Sequence, residues 1–459
     1  MFHGGTNPKG VLTTLQESQA TKFPNDLPEL TYDFNAPLGE FGQQRESYRK
    51  TRMLHVFLNA YGSQLATMSA FAPAQRSRDA SDTSSPRVAV RTDGTSGFVF
   101  VNNYVRQLEM PARRGFQINL KLANCELQLP TKPIDVPANT YFAWPVNLAV
   151  GKSTMLYSTA QLLTRLDTPA GNLIVFFAIP GIAPQFAFDN KTVRTLSARG
   201  ATIAHTGDSV TITSLHPGIN TTVNITDTTG TRSTLVLLTQ QQAEQTSVLH
   251  IAHHDHPAMT ASTLLFDGKA IHLRSAGPTQ HLALLPALGP SSKYQSTLWA
   301  TLTRTQPQQH LTLDIKQTSA ATPRAQMDMG PYVDWRKAAV PTVPPDAAFD
   351  NASSWQLTWT RPTLSHLSNV LLQLEYTGDI ARLYSGSTLV DDNFFNGLPF
   401  EFSVTRLPTP LTLKILPMPA VAPIYLDTAA RALLGTAPTQ AKLVNATLVP
   451  EYESVISIP

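Results

Sequence analysis

Asn172-Leu173-Ile174-Val175-Phe176-Phe177-Ala178-Ile179 is apolar from its second residue onward and rich in β-branched and aromatic side chains. A continuous run of this kind reads as a strand buried on both faces. Shorter strand signals lie on either side of it. Gly97-Phe98-Val99-Phe100-Val101-Asn102-Asn103-Tyr104 is an apolar strand that ends in a turn. Phe116-Gln117-Ile118-Asn119-Leu120-Lys121-Leu122 alternates, apolar in and polar out. Thr211-Ile212-Thr213 and Ser233-Thr234-Leu235-Val236-Leu237-Leu238 continue the series. Further on, Leu371-Leu372-Gln373-Leu374-Glu375-Tyr376, Ala381-Arg382-Leu383-Tyr384 and Leu411-Thr412-Leu413-Lys414-Ile415-Leu416 read as strands of a jelly-roll-like sandwich. The 35 prolines and 24 glycines supply the turns between them.

Composition agrees with a β-rich globular chain. The 459 residues leave room for roughly three domains. A hydrophobic fraction of 42% with only 15% charged residues excludes a disordered chain. The net charge of +3 is small and dispersed, and no basic cluster is interleaved with aromatics, so a nucleic-acid partner is not expected. No run reaches the roughly 18 apolar residues of a membrane span. A single cysteine, Cys125, excludes an intrachain disulfide and reads as a buried small hydrophobe.

One long helix is expected over 41–68, where Tyr48, Leu54, Phe57, Leu58, Tyr61, Leu65 and Met68 recur mostly at three- and four-residue spacings. Before it stand two short motifs. Met1-Phe2-His3-Gly4-Gly5-Thr6-Asn7 is an apolar stub entering a glycine turn, and Thr31-Tyr32-Asp33-Phe34-Asn35-Ala36-Pro37-Leu38-Gly39-Glu40-Phe41-Gly42 leads into the helix. Together they resemble the end of the catalytic barrel in family 35 glycoside hydrolases, the β-galactosidases. There the pattern is close to MFxGGTN, a variable loop, SYDYDAPLxExG and a helix. Looser matches occur at Leu156-Tyr157-Ser158-Thr159-Ala160-Gln161 and at Asp391-Asp392-Asn393-Phe394-Phe395-Asn396-Gly397.

The resemblance implies a mainly β chain: the last strand and helix of a (β/α)8 barrel, then two or three β-sandwich or jelly-roll-like domains. The expected division is 1–70 barrel remnant, 71–86 linker, 87–248 sandwich, 249–340 second β domain and 341–459 carboxyl-terminal jelly-roll-like sandwich. The implied parent reaction is retaining hydrolysis of terminal β-galactosides through two glutamates. In the family these come from the fourth and seventh barrel strands, within NEY-type and SEF- or SEW-type triplets. Neither triplet occurs in this sequence. The expectation is therefore a carboxyl-terminal portion, inactive alone, with both glutamates upstream of Met1. A galactoside or galactose-containing polysaccharide would be the parent's partner. The low charge suits a secreted or periplasmic parent, and no signal peptide is visible at Met1. The alternative is a noncatalytic carbohydrate-binding or scaffold protein built of sandwiches.

The resemblance points to Phe34, Tyr32, Asn7 and His3 as the rim of a sugar pocket. Phe34 stands where the family has its second tyrosine, so an apolar wall survives without the hydroxyl. Other clusters read as structural. His250, His253, His254, Asp255 and His256 are the densest ligand-like group. They read as a strand running into a histidine-rich loop, and neither metal nor cofactor is expected. Asp391 and Asp392, with Glu401 nearby, could do acid/base work on sugars but read first as a surface turn. Trp144, Trp299, Trp335, Trp355 and Trp359 read as core rather than as a stacking platform.

Overall fold

The structure is a computed structural model. It describes residues 30–458 except 32, 34, 35, 107, 124, 170, 287–297, 335, 336, 343 and 406. The expected strand of the HGGTN motif lies outside the described residues. The chain is mainly β and forms two compact units. One holds Arg49–Thr260 with Leu282–Leu302. The other holds Ala261–His281 and Thr303–Pro459 together with the residues up to Tyr48.

The first unit contains the opening run. Gly171–Phe177 sits between Arg232–Leu238, its parallel neighbour, and Gln161–Thr168, its antiparallel one. Its side chains alternate between two cores. Ile174 and Phe176 join Leu162, Leu235 and Leu237 in one, while Leu173, Val175 and Phe177 join Leu163, Val236 and Leu238 in the other. Both faces are dry, which is why the run carries no polar alternation. Against the first core packs an eight-stranded antiparallel sheet that includes Gly97–Asn103, Thr140–Val150, Ser153–Ser158 and Phe186–Asp189. Phe186 meets Phe176 edge-on, with ring centroids 5.0 Å apart. Trp144 is fully buried in a further cluster on that sheet, stacked on Phe142 at 4.3 Å.

The helix runs from Glu46 to Thr67. It starts later than periodicity suggests because residues 37–44 fold back first, with Leu38 bridged to Gln44 and Gly42 at φ +84°. Met53, Val56, Phe57, Tyr61 and Leu65 form its buried stripe. Its last carbonyls are capped by Arg91, whose Nη2 donates to the carbonyls of Leu65 at 3.0 Å and Met68 at 2.6 Å. The expected linker is shortened at its start. Ser69–Phe71 pairs with Arg87–Thr92 as an edge strand. After it, Asp79 and Asp82 hold successive turns by accepting from Ser81, Ser84 and Ser85.

The second unit has two five-stranded antiparallel sheets. One runs Thr263–Phe266, Ala270–Ser275, Lys442–Ser457, Leu367–Thr377, Phe400–Ser403. The other runs Leu313–Ser319, Ser353–Trp359, Leu411–Ile415, Ile380–Ser385, Thr388–Phe394. Their inner faces share a core of Leu357, Val370, Leu372, Leu374, Leu383, Leu411, Leu413 and Ile415. Trp355 and Trp359 belong to it, and Trp299 is buried in the first unit. The four described tryptophans are core residues, as expected, and Trp335 lies outside the described residues. Among the described residues no helix is long and apolar enough to cross a membrane.

Strand Gly171–Phe177 generates a stability test, since substitution should hurt on either face. Phe176→Ala is expected to cost about 3–5 kcal/mol by cavity formation. Val175→Thr, on the opposite face and of nearly equal volume, is expected to cost about 1–3 kcal/mol by burying a hydroxyl. Urea unfolding midpoints measure both, and a silent Val175→Thr would mean that this face is wet.

Candidate functional site

Expected surface chemistry at Asp391 and Asp392 is replaced by burial. Both lie inside the strand Thr388–Phe394 with no exposed area, so the turn reading is corrected. The reason is a set of partners about 360 residues earlier in the chain. Asp392 Oδ1 accepts the N–H of Thr31 at 2.8 Å and that of Leu30 at 3.0 Å. A carboxylate that takes two backbone donors satisfies groups that would otherwise be buried without partners.

The residues that follow are stapled by a second carboxylate. Asp33 Oδ1 accepts from Ala36 N at 3.2 Å, and its Oδ2 accepts from Glu40 N at 3.2 Å and from Arg45 Nη2 at 2.7 Å. Thr31 Oγ1 donates to Glu40 Oε2 at 3.2 Å. The hairpin is closed by Gly39 N to Gln43 O at 2.9 Å and Arg45 N to Pro37 O at 3.1 Å. Phe41 anchors it to the sandwich, edge-on to Phe402 at 5.5 Å. Nearby, Tyr376 Oη donates to Asn393 Oδ1 at 3.0 Å and holds the end of the acidic strand.

Four carboxyl groups, of Asp33, Glu40, Asp391 and Asp392, thus lie close enough to act on one another, and Arg45 pairs with Asp33. Burial, with Asp33 and Asp392 nearby, pushes Glu40 up to about 8, although the Thr31 hydroxyl partly opposes this. Asp391 is raised well above the ordinary carboxylate range, first by burial and then by Glu40 and Asp392. Its Oδ1 accepts from Asp392 N at 2.8 Å, while Oδ2 has no hydrogen-bond partner among the described residues, as a protonated carboxyl tolerates more easily than an ion. The cavity beside Glu40, bordered by Thr31, Asn393 and Glu401, has a volume of about 20 Å³. That is room for about one water. Asp392 and Asp33 thus hold Leu30, Thr31, Ala36, Glu40 and Arg45 in place. Glu401 is itself engaged, accepting from Gln373 Nε2 at 2.7 Å.

The expected rim residues His3, Asn7, Tyr32 and Phe34 all lie outside the described residues. Their described neighbours Thr31, Asp33 and Ala36 are the ones fixed by the carboxylates. The histidine group is a hairpin, with His250 in Thr246–Ile251, His254, Asp255 and His256 in His254–Met259, and a turn through Ala252 and His253 at positive φ. His250 Nδ1 meets Asp255 Oδ1 at 2.9 Å. Among the described residues no group of three or more His, Cys, Asp or Glu could hold a metal. Cys125 is half-buried rather than buried, and its Sγ accepts from Asn147 Nδ2 at 3.2 Å.

Residues 80–250 match the family model described as "Beta-galactosidase, domain 2". No curated protein matches the chain. Among solved structures, the chain is similar to a GH31 α-xylosidase from Xanthomonas citri at 12% identity and a TM-score of 0.12, over 85% of this chain. It spans 38% of that protein's length, and a likeness so faint carries no argument. The domain match gives the chain a β-galactosidase-like relationship.

Glu40 fixes a pH dependence. Unfolded, it ionises near its ordinary 4.5; folded, it keeps its proton up to about 8. The folded state therefore holds the extra proton, and stability falls as pH rises from about 4.5 to about 8, then levels. Glu40→Gln keeps an acceptor for Thr31 and removes the titration. Its melting temperature should match the parent near pH 5 and exceed it at pH 8, by on the order of 3 kcal/mol in stability. An equal difference at both pH values would show that Glu40 does not titrate in this way.

Proposed function

We propose that this chain is the noncatalytic portion of a retaining β-galactosidase-like hydrolase of glycoside hydrolase family 35, and that it is inactive alone. The match of residues 80–250 to β-galactosidase domain 2 carries the reading. It is supported by the HGGTN and TYDFNAPL motifs, in the family's order, before the helix. Residues 1–70 would complete the catalytic barrel, and the sandwiches would brace it. The parent's substrate would be a terminal β-galactoside or galactose-containing polysaccharide. Neither glutamate triplet is present, so general acid catalysis and the covalent step have no agent here. The full burial of Asp391 and Asp392 supports the same reading.

The buried clasp suits this role. It pins the residues that flank Tyr32 and Phe34, and a pocket rim must be held in place to bind sugar. In this reading Phe34, Tyr32, Asn7 and His3 form the rim on the barrel side.

Purified chain assayed with a chromogenic β-galactoside is expected to give background rates. Turnover that survives rigorous purification would overturn the noncatalytic reading. In an enzyme completed with the barrel, Phe34→Ala should raise KM severalfold. A lowered melting temperature with unchanged KM would reduce Phe34 to loop packing.

A further inference from the structure

A groove in the unit holding Arg49–Thr260 shares no residue with the carboxylate cluster. It encloses about 740 Å³, within the usual range for ligand sites. One end is closed where Phe57 and Tyr61 of the helix meet Phe98 edge-on at 5.5 and 6.0 Å. Beyond Phe57 the helix wall carries Leu54, which is 51% exposed. On the sheet, Phe100 and Asn102 follow Phe98 on the same face of one strand and line the groove. Strand register puts Arg87 opposite Asn102 and Asn102 opposite Tyr141, a row across three strands.

The row has a definite chemistry. Tyr141 is 50% exposed and Tyr104, beside it in the groove, 44%. Asn102 Oδ1 accepts from Tyr104 N at 2.8 Å, and Gln161 Oε1 accepts from Ala143 N at 2.8 Å. Each amide thus keeps its NH₂ as a donor. Arg76 is exposed on the linker side. Arg87 Nη2 donates to Asp82 O at 2.8 Å and its Nη1 is buried, so Arg76 supplies the exposed guanidinium. Among the described residues no aspartate or glutamate lines the groove. The neighbouring Asp79 and Asp82 carboxylates are committed to their own turns.

We propose that this groove binds an acidic polysaccharide, a chain of pyranoses bearing carboxylates. The C–H face of a pyranose is apolar and stacks on an aromatic ring such as Tyr141 or Tyr104. Side-chain amides donate to ring hydroxyls. Guanidinium groups pair with carboxylates in a planar, two-point geometry that a neutral sugar cannot use. The choice of a sugar ligand rests on the β-galactosidase-like reading; the acidic character rests on the groove itself.

Native-gel affinity electrophoresis of the full chain tests this, with polygalacturonate or a neutral β-galactan cast in the gel. Polygalacturonate should retard the protein, and added salt should weaken the effect. Tyr141→Ala should reduce affinity by about tenfold and Arg76→Ala by about threefold, with unchanged circular dichroism because both side chains are exposed. Absence of retardation, equal retardation by the neutral galactan, or indifference to both substitutions would each overturn the proposal. The noncatalytic reading fails separately, by chromogenic turnover, which neither substitution touches.

Discussion

Burial of one sheet on both faces is the constraint on which the first unit depends. Gly171–Phe177 and Arg232–Leu238 send alternate side chains into two cores. Neither core could exclude water without the shared sheet, because each takes one of its faces as a wall. The buried stretch of a strand in that position, as in residues 173–177 and 235–238, must be apolar on both faces, and its backbone must be paired on both edges. The parallel pairing between these two strands supplies one edge and the antiparallel Gln161–Thr168 the other. The eight-stranded sheet and the helix then cover what the shared sheet leaves open, through Phe186 and Phe57 among others.

The second unit solves a different problem. Its core is an ordinary two-sheet sandwich, but one strand carries two adjacent carboxyl groups inside it. Buried carboxyls are costly unless they are hydrogen-bonded or protonated, and both remedies appear here. Asp392 takes two backbone N–H groups from Leu30 and Thr31. Asp391 and Glu40 have their proton affinities raised. Breaking the contact would leave donors and acceptors unsatisfied on both sides. The clasp therefore specifies where residues 30–45 lie more than it adds net stability.

Function follows from this division of labour. Carboxylates in a β-galactosidase-like protein invite a catalytic reading, yet Asp391 and Asp392 are fully buried and the cavity beside Glu40 has room for about one water. They act as fasteners. The open, aromatic-lined groove belongs to the other unit.

The sequence by itself determined the β class, strands at 97–104, 172–179, 233–238, 371–376 and 411–416 to within a few residues of their structural ends, and the helix stripe. Each of these rests on local periodicity, which a neighbour far along the chain does not alter. Its short motifs also pointed toward the β-galactosidase-like relationship that the match of residues 80–250 gives. The tertiary structure alone decided that Asp391 and Asp392 are interior rather than on a turn. Their Asp-Asp-Asn composition is turn-like, and the N–H groups of Leu30 and Thr31, 362 and 361 residues away, help to satisfy the buried Asp392. It likewise decided the late start of the helix, set by the Leu38–Gln44 bridge, and the groove. That groove depends on register between three strands and on where the helix meets the sheet, and neither leaves a mark in the order of residues.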